Sequence, residues 1–309
     1  MEEVDLYNNY NQHLRALYGA RIQKISINAG FSCPNRDGTK GVGGCTFCNN
    51  VSFSPEYCLP TKDVVTQMKE GIDFFSRYQG QQYLAYFQSF TNTYAPISTL
   101  KKYYDALFEL DNVIGIVVAT RPDCVNDEML DFFQKISESK YVMIEYGIES
   151  TSDITLKRIN RGHTYADSVK AVEQTHRRGI NVGAHLILGL PGEVEEDFIS
   201  HALRLNELPL DMLKLHQLQI VKGTILEKQW NSGIADVVSF SMDEYIDLCI
   251  KFLERLKPSI GIERFISQSP KELLIYPDWG VKNFEFIAKL HKRMKDLNTY
   301  QSRLYAKKE

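Results

Sequence analysis

Two kinds of hydrophobic run alternate along the chain. Residues 22–30, IQKISINAG, alternate apolar and polar side chains as a half-buried strand does. Val65, Met68, Ile72 and Phe75 then recur at steps of three and four, which places them on one helix face. The pair repeats. YLAYFQ at 83–88 reads as a strand, and 98–110 as a helix. VIGIVVAT at 113–120 is a buried strand, followed by a helix near 126–139. YVMIEYGIE at 141–149 is a fourth strand, and the helix at 164–179 ends in basic residues and a glycine. A fifth strand at 180–189, a helix from about 194 to 208, and a sixth strand at 212–221 complete the series. Beyond 221 the pattern is mixed. Ser241 and Glu244 form a capping box that opens a helix to about Leu256, IERFIS at 262–267 reads as a late strand, and 283–298 as a terminal helix.

Repeated strand–helix units predict an α/β fold with a parallel sheet covered by helices, because each parallel return needs a crossover. A doubly wound sheet and a complete or partial barrel both satisfy the pattern. In either, ligands bind at the carboxyl ends of the strands. The loop after the first strand lies on that face.

Composition narrows the picture only a little. With 43% hydrophobic residues, 24% charged residues and a formal net charge of −3, the 309-residue chain does not present a wholly basic surface for nucleic acid. The first residues have neither a basic nor an apolar signal region, and no apolar run approaches the roughly 18 residues of a membrane span. The expectation is a reducing, cytoplasmic compartment with free thiols and no membrane partner.

The candidate chemistry lies in CPNRDGTKGVGGCTFC, residues 33–48, which holds three of the six cysteines as C-x11-C-x2-C. A disulfide uses two thiols, and a structural zinc site wants four ligands. Iron–sulfur clusters are held by thiolates, usually four. A four-iron cluster on three thiolates keeps one iron open to a small ligand. Zinc with a fourth ligand elsewhere, and three incidental loop thiols, are the alternatives. Cys58 and Cys249 show no spacing that suggests a second group.

The cysteine spacing after a first strand, with Phe47 before the last cysteine, resembles the radical S-adenosylmethionine (SAM) superfamily. The long first gap is similar to the Elongator catalytic-subunit type, and most like the YtqA/YhcC-type proteins. ATRPD (119–123), YGIES (146–150), INRGHT (159–164), LILGLPGE (186–193) and LKLHQLQIVKGT (213–224) follow in order at or after strand ends. The resemblance implies a partial (β/α)6 TIM-like barrel over residues 1–225, with 226–309 as a C-terminal extension packed on it. It implies a 4Fe-4S cluster on Cys33, Cys45 and Cys48, and SAM chelated at the open iron. An electron from a donor such as flavodoxin or ferredoxin would then cleave SAM to a 5′-deoxyadenosyl radical. Glu149 matches the carboxylate for the ribose hydroxyls, and Arg161 the cation for the SAM carboxylate. Phe47 is a candidate adenine contact. Gln88 and Ser89 stand where the superfamily has a glycine-rich SAM segment. His185 is a further candidate SAM contact, and Cys124, after ATRPD, a candidate hydrogen donor to a substrate radical. For His216 the expectation is an ordinary core histidine.

The same resemblance implies chemistry on the side chain of a wobble uridine in transfer RNA. A small molecule or peptide substrate, and a non-catalytic cluster- or metal-binding protein, are the other readings. One hint is independent of the family. From 282 to 309 eight basic residues (Lys282, Lys289, Lys292, Arg293, Lys295, Arg303, Lys307, Lys308) face only Glu285, Asp296 and Glu309, with Tyr300 and Tyr305 interleaved. Such an end is expected to track a phosphate backbone.

Overall fold

The computed structural model describes residues 5–306. It opens with a helix that the pattern did not announce, α1 (Tyr10–Tyr18), capped by the Asn9 side chain. The expected units follow: β1 (Ile22–Ile27), α2 (Val64–Phe74), β2 (Gln82–Phe87), α3 (Ile97–Phe108), β3 (Val113–Thr120) and α4 (Asp127–Ser137). β4 (Tyr141–Glu149) leads into two helices, α5 (Asp153–Arg158) and α6 (Tyr165–His176), and β5 (Asn181–Leu188) into α7 (Glu195–Leu205). The rest comprises β6 (Met212–Gln217), β7 (Ile220–Val221), α8 (Ile225–Asn231), α9 (Met242–Arg255), β8 (Gly261–Arg264), β9 (Leu274–Tyr276) and α10 (Asn283–Asp296). No described helix is long and apolar enough to cross a membrane.

Seven parallel strands form one sheet in the order β1-β2-β3-β4-β5-β6-β8, curled into a half-barrel. The expected partial barrel is therefore present, with a seventh strand supplied by the late segment at 261–264. The run expected as one strand at 212–221 is two. After β6 the Gln217 side chain exchanges hydrogen bonds with the Ser267 backbone, and β7 leaves the sheet to pair antiparallel with β9. A side chain that holds a neighbouring loop ends the ladder there, although the apolar pattern runs on.

The period-two alternation of the strands separates two environments. Ile25, Phe87, Val118, Ile144 and Leu186 face outward into one apolar core with Met68, Leu107, Phe133 and Phe198 of the helices. The inward face is polar at its centre. Glu145, fully buried, accepts from Lys24 at 2.8 Å, Lys214 at 2.6 Å and His185 at 2.8 Å, and Glu263 lies 3.3 Å from Lys214. Burial alone would raise the Glu145 carboxyl, but Lys214 and Lys24 hold it well below the usual range. Two cations thus meet two anions, and mutual pairing offsets a desolvation cost of several kcal/mol per ion.

This layer also ties the open side of the barrel. β1 and β8 are the edge strands of the sheet, β8 bridged at its edge by Asn9, and Lys24 reaches from β1 to Glu263 on β8. α1 fills the remaining gap, where Asn11 donates to the Glu263 carbonyl at 3.3 Å and Tyr10 meets the Tyr141 hydroxyl at 2.6 Å.

The chain end closes the amino-terminal end of the barrel. Gln301 donates to the carbonyls of Lys257 and Ile260, which precede β8, and accepts from Asn8 N at 2.8 Å. Arg303 is bound by Glu254 at 2.6 Å, and Arg293 by Asp247 at 2.7 Å. The part of the expected basic segment that follows α10 therefore packs around residues 254–260, and Arg293 and Arg303 are already paired. Nothing local announces this, since the Gln301 partners come from residues more than forty positions away. Lys307, Lys308 and Glu309 lie outside the described residues.

Candidate active site at the carboxyl ends of the strands

Cys33, Cys45 and Cys48 line one cavity over the carboxyl ends of the strands, together with Phe47, Gln88, Glu149, Arg161 and His185. Long-range folding thus gathers residues spread over 153 positions of the sequence, from 33 to 185. The cysteine loop carries its own nitrogen donors. The Asn35 side-chain amide lies 3.8 Å from the Cys45 sulfur, and that of Asn50 lies 3.6 Å from the Cys48 sulfur. Burial pushes the Cys48 thiol up, with Cys45 beside it adding to the rise.

The INRGHT segment is a brace for this loop. Ile159 O accepts from Thr46 N at 3.0 Å, the Asn160 side chain donates to Gly44 O at 2.9 Å, and Asn160 O accepts from Asn35 at 2.5 Å. Arg161 then reaches over the loop, with Nη1 3.5 Å from the Cys45 sulfur, Nη2 2.6 Å from Gly147 O and 3.4 Å from Glu149 Oε1. Burial opposes its charge, but Cys45 and Glu149 outweigh that and the guanidinium stays cationic. ATRPD holds the brace from the other side. Arg121 donates to Arg161 O at 2.7 Å and forks onto Asp123 at 2.9 and 3.0 Å. Burial would raise the Asp123 carboxyl, but Arg121 and Lys40 bring it down to about 2.

Glu149 sits at a break in register, where β4 slips against β5 between Gly147 and Glu149, and its own φ is +65°. Gly147 is required beside it. A Cβ there would lie 2.5 Å from both Arg161 Nη2 and Glu149 Oε1. LILGLPGE locks the same corner from behind. Glu193, buried, accepts from Ser150 of YGIES at 2.6 Å and meets His201, which contacts Thr151 at 2.7 Å. The five motifs are largely the bonds that hold the cavity wall.

The remaining candidates divide. Phe47 lines the cavity and also packs on the apolar cluster of Leu156, Ile187 and Leu218. Gln88 lines it too, but Ser89 is buried away from it, 3.5 Å from Ser54. Phe90, the next residue, has φ +63°, which turns this segment so that Gln88 and Phe90 face the cavity and Ser89 does not. His185 is on the wall, but its Nε2 is engaged by Glu145, and burial holds the ring neutral. Cys124 is not among the cavity-lining residues. It follows the turn set by Arg121 and Asp123, its sulfur lies 3.8 Å from Asp123, and burial pushes the thiol up to about 12, so it stays protonated but off the cavity lining. Sequence reasoning missed Arg36 and Arg264 and gave His216 a bland role, yet all three line the cavity. Only the quoted CPNRDG and LKLHQ segments signalled two of them.

No three Cys, His, Asp or Glu side chains among the described residues converge on a single metal ion. The three thiols instead surround a shared space, with amide and guanidinium donors at two of the sulfurs and a buried Arg161 Nε that has no partner. Such donors suit thiolates and an anionic cube of iron and sulfide, and a spare guanidinium nitrogen suits a carboxylate beside it. The residues fit the pair of cofactors.

The family profile for the radical SAM superfamily matches residues 33–205, and a radical SAM C-terminal domain profile matches 210–296. The chain is 34% identical to YtqA of Bacillus subtilis (strain 168) over 98% of its own length and 94% of that protein's. The chain belongs to the radical SAM superfamily. It is an enzyme of that superfamily, whose members use a 4Fe-4S cluster and SAM. YhcC of Escherichia coli (strain K12) is 35% identical, covering 90% of this chain and 89% of that one. Among solved structures, the fold is similar to an N-terminally truncated Elp3 from Methanocaldococcus infernus, with a TM-score of 0.68 at 16% identity over 91% of this chain and 64% of that one. Shorter similarities reach the archaeosine synthase subunit beta of Thermococcus kodakarensis, 28% identical over 60% of each chain, and the tRNA uridine(34) acetyltransferase of M. infernus, 26% identical over 39% of this chain and 22% of that one.

Proposed function

We propose that Cys33, Cys45 and Cys48 hold the 4Fe-4S cluster, that Glu149 and Arg161 hold SAM beside it, and that the enzyme modifies the side chain of a wobble uridine in tRNA. The observation that carries the site is Arg161, which spans from the Cys45 sulfur to Glu149 within one cavity. When bound, the cluster supplies the electron that splits SAM into methionine and a 5′-deoxyadenosyl radical able to remove hydrogen from an unactivated C–H. The chain's own residues bind and orient. Glu149 accepts from the ribose diol, Arg161 pairs the carboxylate, and Phe47 and Gln88 line the space around them. The buried ion layer below closes the floor and keeps water from entering through the barrel. Residues 226–309 act as an extension that also lends strand β8 to the edge of the sheet formed within 1–225, and flavodoxin or ferredoxin delivers the electron. A tRNA substrate is supported by the partial likeness to a tRNA uridine(34) acetyltransferase and to an archaeosine synthase subunit.

Anaerobic reconstitution followed by iron and sulfide analysis tests the cluster, and 5′-deoxyadenosine release on reduction tests SAM cleavage. A colourless protein that releases none would end the reading. tRNA-dependent deuterium transfer between substrate and 5′-deoxyadenosine tests the substrate. Transfer from short peptides but not from tRNA would overturn that part alone.

A further inference from the structure

Four arginines line the cavity, and three of them are committed. Arg36 donates to Cys48 O, Arg121 forks onto Asp123, and Arg161 bridges Cys45 and Glu149. Arg264 has no ion pair among the described residues. Its one side-chain hydrogen bond among the described residues is to His216 Nδ1 at 3.5 Å, and its Nε is buried without a partner. It stands at the end of β8, on the wall made by the C-terminal part of the chain, with its strand slipped in register against Lys214.

His216, on the adjacent β6, completes the arrangement. Its Nδ1 faces the Ser267 hydroxyl and the Arg264 guanidinium. A guanidinium only donates, so Nδ1 is the accepting nitrogen and the neutral ring carries its proton on Nε2. That Nε2 is buried with no partner. Glu145, Glu263, Lys214 and His185 surround this pair, but both glutamates are already engaged by Lys24 and Lys214. One cation without an anionic partner, its Nε unpartnered, and one ring N–H without an acceptor therefore line the cavity. Unsatisfied buried donors are costly, and a ligand oxygen would relieve both.

We infer that Arg264 and His216 form a substrate-binding site for an anionic oxygen group, a carboxylate or a phosphate, on the cavity wall formed by β6 and β8. The inference deepens the reading above by giving the substrate a negatively charged handle, and it rests on that reading for the identity of the cavity. The three committed arginines lie with the cysteine loop and its brace, whereas this pair belongs to different strands. The site therefore serves a molecule other than the one held by Glu149 and Arg161.

The test uses cluster-loaded protein labelled with 15N-histidine, with the His216 signal assigned through His216→Gln. Inorganic phosphate and acetate are titrated separately at constant ionic strength. A saturable shift of the His216 nitrogens is expected with at least one anion, and the stronger of the two distinguishes phosphate from carboxylate. Arg264→Gln should weaken that binding at least tenfold, and Arg264→Lys, which keeps the charge, by several-fold. SAM affinity and substrate-free SAM cleavage are measured on the same samples and should be unchanged in both variants. Absence of a saturable shift with both anions in the wild type overturns the inference, as does equal binding in Arg264→Gln. Should Arg264→Gln fail to fold, anion binding in Arg264→Lys as tight as in the wild type overturns it. Failure of SAM binding in the wild type would instead count against the reading of the cavity, so the two failures are separable.

Discussion

At the scale of single residues, the loop cysteines differ from the others by surroundings. Cys58 and Cys249 are buried in the outer apolar core, where a thiol packs as a small hydrophobe. Alanine at Cys33, Cys45 or Cys48 should therefore abolish iron and sulfide uptake, while alanine at Cys58 or Cys249 should leave both intact. A full iron load in Cys45→Ala would remove the assignment. Arg161→Ala should retain iron yet lose about 1.5–3 kcal/mol of SAM binding, the scale of charge-assisted hydrogen bonds, read by equilibrium dialysis. His163, in the same brace, carries a pH signature. Burial, and then the Arg161 charge beside it, lowers its pKa to about 3. The unfolded chain takes up a proton near 6.5 that the folded one refuses, so stability is present in full above about 6.5 and is lost as pH falls toward 3. The slope from this group is about 1.4 kcal/mol per pH unit. His163→Gln should flatten the pH dependence of the urea midpoint over that window, and an unchanged slope would place the proton elsewhere.

At the scale of elements, the ion layer on the inner face of β1, β4, β6 and β8 couples strands far apart in the sheet. Lys214 is 1% exposed and serves both Glu145 and Glu263. Lys214→Ala leaves two buried carboxylates short of a cation, and should cost about 3–5 kcal/mol in denaturant unfolding. A loss below 1 kcal/mol would mean that water already reaches the layer. The element pattern was legible because strands buried on both faces read as short β-branched apolar runs and their helices carry a three–four repeat. α1 escaped notice because its nine residues, YNQHLRALY, hold few apolar positions. Only Tyr10 and Leu14 are buried, and its place is set by a gap between strand edges.

At the scale of the molecule, the chain end is a clasp. Deleting 299–306 removes the Gln301 and Arg303 bonds to residues 254–260 and should lower the melting temperature, so it cannot serve as a clean test of RNA contact. Lys289 and Lys292 are exposed on α10 and carry that test instead. Reversing both to glutamate should leave SAM cleavage unchanged and reduce the salt slope of tRNA binding by about one per lysine. An identical slope would exclude this face from RNA binding.

The sequence alone determined the strand–helix order, the cysteine triad and the loop motifs, because each depends on spacing within a few residues of one another. It also marked Glu149 and Arg161, twelve positions apart, through the motifs that hold them. Tertiary structure decided which side chains are already spent. Arg121 and Arg161 look alike in sequence to Arg264, and only folding shows the first two engaged and the third without an anion. It also decided that β8 joins the sheet, that Cys124 and Ser89 lie off the cavity lining, and that residues 301–304 bind the amino-terminal end of the barrel. Each of these depends on partners distant along the chain, and a local pattern carries no record of what stands opposite.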